Sequence, residues 1–342
     1  MQNPDIAVVI LNWNGLHFLE QFLPEVIMHS KPFRVVLADN ASTDDSVSWT
    51  KEHFPELEIV VNSSNGGFAK GYNDALKQIQ ADYYVLLNSD VEVSENWLSP
   101  LVETMKNQEV AGCQPKVHSF KLRDTFEHAG ASGGFLDKYH YPFCRGRIMD
   151  HVEKDEGQYD YPSKIFWATG ACLMIRSNIY WEAGGLDERF FAHMEEIDLC
   201  WRIQRMGLHF EVNPQSVVYH VGGGTLNYMN PKKTFLNFRN SLLMIHKNQR
   251  TALTYVLFRR FCFDGLAALI FLLKGQFPHF SAVFKAHMSF YNLLPSSVKE
   301  RRKWKKLDKK TPVSFYRGSI LWALYIQKVT KFKDLNQRKF DL

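Results

Sequence analysis

Two acidic clusters stand where a folded chain can use them as reagents. Asn88-Ser89-Asp90 ends a short β-rich apolar run, Tyr83 to Leu87, and Glu195-Glu196-Ile197-Asp198 opens a helical stretch that closes at Gly207. In open α/β sheets ligands sit beyond the carboxyl ends of the strands. A carboxylate held there can bind a hard divalent cation, which in turn neutralises a diphosphate. In the second cluster Glu195 and Asp198 share a helix face, whereas Glu196 is turned about 100° away. Glu196 is then placed to face a cleft as a general base while its neighbours hold structure, and two crowded carboxylates tend to raise one pKa. His220 follows the strand Ser216 to Tyr219 and precedes a glycine turn, a position from which an imidazole can ligate metal. Each feature also has a plain structural reading: an Asx turn, acids favoured by a helix dipole, or a structural histidine.

The elements that must position these residues repeat regularly. Ile6 to Leu11 is a buried strand ending in Asn12-Trp13-Asn14-Gly15, and Leu16 onward reads as a helix to about Ser30. Val35 to Ala38 is a strand ending in Asp39, with Ser42 or Thr43 able to cap the next helix. Leu57 to Val61 is another strand, and Asn65-Gly66-Gly67 leads into a helix through Gln80. Strand and helix alternate over these ninety or so residues, which predicts a doubly wound, mostly parallel α/β sheet. Asn12, Asp39, the Asn65–Gly67 turn and Asp90 all follow strands, so they gather on one sheet edge, where an acid can accept hydrogen bonds from a base or ribose. G-x-G-x-x-G and G-x-x-x-x-G-K-[ST] loops are absent, which weakens dehydrogenase and P-loop readings.

Composition sets the class. With 342 residues, 45% apolar and 23% charged, the chain suits one large α/β domain plus an appendage. Five widely spaced cysteines without a C-x-x-C pair point to a reducing compartment rather than a disulfide framework or zinc site. No secretory signal is read at the N-terminus. Of the net charge of +5, Lys299 to Lys310 carries +6. This local patch on a neutral body argues against nucleic-acid binding.

Read together, the motifs resemble the family 2 glycosyltransferases, and in particular the rhamnosyltransferase-like bacterial branch that builds surface polysaccharides. The carriers are Val8-Val-Ile-Leu-Asn-Trp-Asn-Gly15, Asp39-Asn-Ala-Ser-Thr-Asp44, Asn65-Gly-Gly-Phe-Ala-Lys-Gly-Tyr-Asn73, Leu87-Asn-Ser-Asp-Val91, Thr169-Gly-Ala171, Gly185-Leu-Asp187, Glu195-Glu-Ile-Asp-Leu-Cys-Trp-Arg202 and His220-Val-Gly-Gly-Gly-Thr225. The resemblance covers roughly residues 5 to 248. It implies a GT-A fold (Rossmann-like, helices flanking the sheet) and an inverting transferase that takes a sugar from a UDP- or dTDP-linked donor to a hydroxyl of a glycan or lipid-linked acceptor. Asp39 would contact the nucleobase, with Leu11, Asn12, Gly67, Asn73, Asn88 and Ser89 around the nucleotide. Trp167, Gly170 and Ala171 would line the donor and acceptor. Asp90, helped by His220, would bind Mg²⁺ or Mn²⁺. Glu196, paired with Glu195, would take the acceptor proton. This chain departs from the family's Asp-x-Asp by having Asn88-Ser89-Asp90, and its base is Glu where many relatives have Asp.

Residues 1–248 are thus expected to form the transferase domain and 249–342 a helical, basic region. Lys116 to Tyr161, with little periodicity, reads as a variable excursion over the site. Ala252 to Lys274 is mostly apolar, but Arg259, Arg260, Asp264 and Lys274 fall within one arc of about 140°, an amphipathic helix rather than a membrane span. It packs on the core or, with the aromatic helix Phe277 to Leu294 and the basic run after it, attaches to an anionic cytoplasmic leaflet. The expected location is cytoplasmic, peripheral on the inner membrane. A non-catalytic sugar-nucleotide-binding or scaffold protein and a nucleotidyltransferase are the alternatives. The latter is expected to carry a basic, glycine-rich loop after the first strand to grip triphosphate, and Asn12-Trp13-Asn14-Gly15 has no such charge.

Overall fold

A computed structural model describes residues 4–222, 230–305 and 310–341. Gly223–Thr225 of the histidine motif and residues 306–309 of the basic run lie outside it. The chain begins with β1 (Ile6–Asn12), α1 (Leu16–His29), β2 (Arg34–Asp39), α2 (Ser46–His53), β3 (Glu58–Val61), α3 (Gly67–Leu76) and β4 (Tyr83–Asn88). On β1, Ile6, Val8 and Ile10 enter one core and Ala7 and Val9 the opposite one, the alternation a strand imposes when helices cover both sheet faces. Helix α1 buries Leu19, Phe22, Leu23 and Val26, spaced to form one stripe against that sheet.

Next come β5 (Val91–Val93), α4 (Leu98–Thr104) and β6 (Val110–Ser119), then four short strands, β7 (Gly134–Asp137), β8 (Pro142–Cys144), β9 (Arg147–Ile148) and β10 (His151–Val152). β11 (Ser163–Ile165), β12 (Cys172–Arg176), α5 (Ser177–Glu182), α6 (Glu195–Arg205) and β13 (His209–His220) complete the main sheet. Its order is β11-β13-β6-β12-β4-β1-β2-β3, with β5 on β13. The block β4-β1-β2-β3 is parallel. Beyond it the sheet is mixed, because β12 runs antiparallel to both β4 and β6.

The expected excursion is only partly one. β7 to β10 form a second sheet, order β10-β9-β8-β7-β14-β15, closed by the C-terminal strands β14 (Phe315–Tyr316) and β15 (Phe340–Asp341). Rings from the excursion and from the C-terminal segment fill its core: Phe135 meets Phe340 at 5.4 Å and Phe143 meets Tyr316 at 5.8 Å. The boundary expected at residue 248 is therefore crossed, because the last thirty or so residues belong structurally to the excursion.

Between them run α7 (Pro231–Asn248), α8 (Leu253–Leu273) and α9 (Phe277–Lys305), with α10 (Ile320–Tyr325) ahead of β15. Asn230 caps α7 through the Lys232 N–H, with proline at the first helical position. Of the charged arc expected on α8, Arg260 and Asp264 turn inward, while Arg259 is half-buried and Lys274 stays exposed. Arg260 and Asp264 are buried and paired at 2.8 Å. The second Asp264 oxygen lies 3.2 Å from His287 of α9, and the Arg260 guanidinium sits over Tyr141. No helix among the described residues is long and apolar enough to cross a membrane.

Candidate active site

Strand register assembles the site. Asn12 stands opposite Asp39, and Leu11 opposite Asn88, so three strand ends meet at one edge. Asp39 is buried: Oδ1 accepts from the Ser42 N–H at 2.8 Å and Oδ2 from Asn12 Nδ2 at 3.2 Å. Leu11 is half-buried beneath them. Asn88 and Ser89 are half-buried at the same edge, and the Asn88 N–H donates to Ala171 O at 3.0 Å. Because β12 pairs Cys172 with Leu87, Gly170 and Ala171 enter beside the end of β4. A Cβ on Gly170 would touch the Phe68 ring at 3.0 Å and lie 3.9 Å from Glu196 Cβ. Asn88, Ala171, Gly170 and Glu196 thus follow one another across the site.

At the other side of Asp90, β5 pairs Val91 with His220. His220 Nε2 lies 3.2 Å from Asp90 Oδ1, and its Nδ1 lies 3.4 Å from Glu127 Oε2 without forming a hydrogen bond. Burial alone would lower the His220 pKa, but the charges of Asp90 and Glu127 overcome it and hold it up at about 10. Burial likewise works against ionised Asp90, yet His220 holds that carboxyl below its ordinary value. Glu127 was hidden from a pattern reading because it lies in an aperiodic stretch.

Glu195 and Glu196 open α6, and the loop before them is distorted: Phe191, His193 and Met194 all have φ between 65° and 72°. Such backbone costs about 1–3 kcal/mol per residue and persists only where the surroundings enforce it. Phe191 O accepts from the Phe68 N–H at 2.7 Å, a contact open because a Cβ on Gly67 would meet that oxygen at 2.5 Å. From α7, Asn240 Nδ2 shares its hydrogens among the carbonyls of Phe190, Ala192 and His193 at 2.8–3.0 Å. Arg239 adds Arg189 O and Phe190 O, both at 2.9 Å. Asn240 lies outside every motif, so nothing in its spacing marked it.

The loop delivers two crowded carboxyls. Glu196 is half-buried, and burial pushes its carboxyl up to about 7 despite the N–H groups of the helix start. Glu195 is buried and is pushed well up by burial and by its neighbour's charge. Neither Oε2 has a hydrogen-bond partner. In the loop before them His193 is half-buried, its imidazole lowered to about 4 by desolvation and its Nε2 unpartnered. Asp198 takes no part: it bonds Arg202 at 2.9 Å, Lys247 at 2.6 Å and Asn248 at 2.7 Å.

Two expected site residues are placed elsewhere. Asn73 Oδ1 accepts from Tyr180 Oη at 2.6 Å and the Leu186 N–H at 3.1 Å, while Nδ2 donates to Leu186 O at 2.8 Å and Glu188 Oε1 at 3.2 Å. All four of its hydrogen-bonding capacities are used, so it fastens the Gly185-Leu186-Asp187 loop and has none left for a nucleoside. Trp167 is buried, its indole N–H donating to Phe135 O at 3.0 Å. It is a packing wedge between the two sheets rather than a lining residue.

Among the described residues no group of three or more His, Cys, Asp or Glu is arranged to hold a metal ion. Asp90 and the His220 Nε2 that faces it at 3.2 Å nevertheless offer two ligands to a Mg²⁺ or Mn²⁺ that displaces the imidazole proton, with the remaining ligands from diphosphate oxygens and water.

This geometry has counterparts. The family model described as glycosyl transferase family 2 matches residues 7–184. An N-acetylglucosaminyl-diphospho-decaprenol L-rhamnosyltransferase of Mycobacterium tuberculosis is 23% identical over 235 residues, 63% of this chain and 75% of the relative. A pre-mycofactocin glycosyltransferase of the same organism is 24% identical, covering 72% of this chain and 49% of the relative. Among solved structures, GalNAc-T7 with UDP, GalNAc and Mn2+ aligns with TM-score 0.55 and 16% identity over 71% of this chain and 48% of that one. A Pyrobaculum calidifontis mannosyltransferase with GDP-Man and Mn2+ aligns with TM-score 0.50 and 14% identity over 85% and 88%. The chain thus spans about half the length of two of these four. These structural likenesses bear on the fold alone, and that fold is GT-A. With more than half of its residues matched by the family model, the chain belongs to glycosyl transferase family 2 and transfers sugar from a sugar nucleotide.

Proposed function

We propose an inverting transfer in which Glu196 is the general base. The observation that carries it is a carboxyl raised to about 7, with one oxygen unpartnered, beside Gly170 and in line with the end of β4. A base is most effective when its pKa lies near the working pH. The acceptor hydroxyl forms a C–O bond to the anomeric carbon as the bond from that carbon to the nucleoside diphosphate breaks. The nucleotide leaves with the bonding pair, and the hydroxyl proton passes to Glu196. Glu195, whose carboxyl burial and its neighbour's charge push up, disfavours a second negative charge beside the first.

At the strand ends Asp39 and Asn12 bind the base, Leu11 packs beneath it, and Asn88, Ser89 and the Gly67 turn approach the ribose and phosphates. Asp90 and His220 would hold a Mg²⁺ or Mn²⁺, which when bound supplies positive charge to the leaving diphosphate. The presence of Mn2+ in both solved neighbours supports divalent-metal use. Gly170 and Ala171 line the donor. The finer reading adds a UDP- or dTDP-linked donor, hexosyl or rhamnosyl transfer in surface-polysaccharide synthesis, and a glycan or lipid-linked acceptor met at the cytoplasmic face of a membrane. Nucleotide release from a panel of UDP-, dTDP- and GDP-sugars, with and without Mn²⁺, tests it. Metal-dependent turnover of one donor that Glu196→Gln abolishes is expected, and full turnover by that variant removes Glu196 as base.

A further inference from the structure

The helical hairpin α8–α9 is built inside out. Its ionic cluster, Arg260, Asp264 and His287, faces inward, and its outer surface is apolar. On α8 the exposed stripe includes Phe258 (64% exposed) and Leu273 (78%), with Leu266 and Leu269 between them. On α9 it continues through Phe277 (63%) and Phe284 (62%). With exposed Ile270 and Leu272 the α8 stripe covers an arc of about 160° at 100° per residue, and Arg259, just inside one edge, is engaged by the hydroxyls of Tyr255 and Tyr139. A contiguous apolar surface of this kind marks a docking site.

The borders identify what docks. Exposed Lys274, Lys285, Lys299 and Arg302 flank the stripe. From residue 249 to 305 the chain has ten Lys and Arg against two acids. Of those acids, Asp264 is buried in its ion pair and Glu300 accepts from the Trp304 indole at 3.0 Å. A second copy of the chain docked here about a two-fold axis would set cation against cation with no acid between them. An apolar face rimmed by unopposed cations matches a lipid leaflet instead, with acyl chains under the stripe and anionic headgroups at the rim.

We infer that the outer face of the α8–α9 hairpin seats in an anionic lipid leaflet, immersed along its length without crossing the bilayer. This deepens the membrane part of the proposed function, which it takes as its starting point, and adds a fixed orientation. The hairpin leans on α7 through Thr234–His279 at 2.8 Å and His246–Ser297 at 2.7 Å, and α7 carries Asn240, which holds the loop before Glu196. A leaflet against the hairpin therefore sits at a set angle to the site.

Flotation of the full chain with vesicles of phosphatidylglycerol and phosphatidylethanolamine tests this. The chain is expected to float, with binding at least about tenfold weaker on pure phosphatidylcholine or at high salt. The double variant Leu269→Asp with Phe284→Asp is expected to stay at the bottom while releasing nucleotide from the donor in solution as the parent does. Cys262, the exposed cysteine on the stripe beside four buried ones, gives a second reading independent of that variant's folding. An environment-sensitive dye on it should shift to the blue with anionic vesicles. A parent chain that neither floats nor shifts the dye overturns the inference, and so does a concentration-dependent dimer that the double variant renders monomeric. Nucleotide release is scored separately, so a failure of docking and a failure of the transferase reading are told apart.

Discussion

Replacing Glu196 by Gln should make the protein more stable while removing its transfer activity. In the unfolded chain this carboxyl ionises near 4.5, and in the folded site at about 7. That difference corresponds to about 3 kcal/mol, trimmed toward about 2 by the water that reaches a half-buried side chain. The folded pKa is raised, so between 4.5 and 7 the folded protein keeps a proton that the unfolded chain has released. Stability attributable to this group therefore falls as pH rises through that window and is fully lost above it. Glutamine never ionises, so the variant should match wild type closely near pH 5 and exceed it by about 2–3 kcal/mol at pH 8. Urea denaturation of both proteins at the two pH values, without metal or nucleotide, measures this. Transfer by wild type should rise with pH through about 7 and level off, and the variant should be lower by about 10²–10⁴ with no such step. A stability difference that is the same at pH 5 and pH 8 would refute the desolvated carboxyl, and unimpaired transfer would refute the base.

Other consequences follow from the same geometry. Asp90→Asn should abolish Mn²⁺-dependent nucleotide binding measured by calorimetry, and wild type should bind Mn²⁺ tightly only with nucleotide present, because the protein offers two ligands. Asn240→Ala leaves three carbonyls of the loop before α6 without their donor. It should cost about 1–3 kcal/mol in stability and lower kcat more than KM, a split that a purely global defect would not produce. Asn73→Ala removes four hydrogen bonds, two to the Leu186 backbone and one each to Tyr180 and Glu188, and should destabilise by about 2–4 kcal/mol. The nucleotide affinity of the folded fraction, read by titration below its melting temperature, should be unchanged.

What was legible in the sequence was whatever repeats at short range. The buried runs of β1 and β4 end in polar residues, and the parallel register then aligns Asn12 with Asp39 and Leu11 with Asn88 with no further information needed. The helix over Glu195–Arg205 was readable from its spacing and its closing glycine. Contacts between distant segments were not readable. Glu127 reaches His220 only because β6 and β13 pair in parallel across about a hundred residues, and Asn73 reads as a site residue until the Leu186 backbone is found occupying its amide. On α8, periodicity located the charged arc correctly but was silent about which side faces inward. An arc holding Arg260 and Asp264 normally turns to water. Here the pair neutralises itself within one helical turn, His287 arrives from α9, and the arc can be buried.

The inversion of α8 and the distortion before α6 belong to one structural chain. Three positive-φ residues, Phe191, His193 and Met194, would relax if the loop were free, and relaxation would displace Glu196 just after them. Phe68 of α3 holds the loop from the nucleotide side and Asn240 of α7 from the other. Helix α7 is itself held by α9, and α9 by the ionic cluster that turns α8 inside out. A continuous run of contacts thus joins the hairpin to the loop that places Glu196, and a coupling along it is testable. Stiffening the hairpin on a vesicle should protect the amides of residues 191–194 from hydrogen exchange more than those of β1 or β4, whose protection already reflects global unfolding. Equal protection with and without vesicles would show that the catalytic loop does not sense the surface against which the hairpin rests.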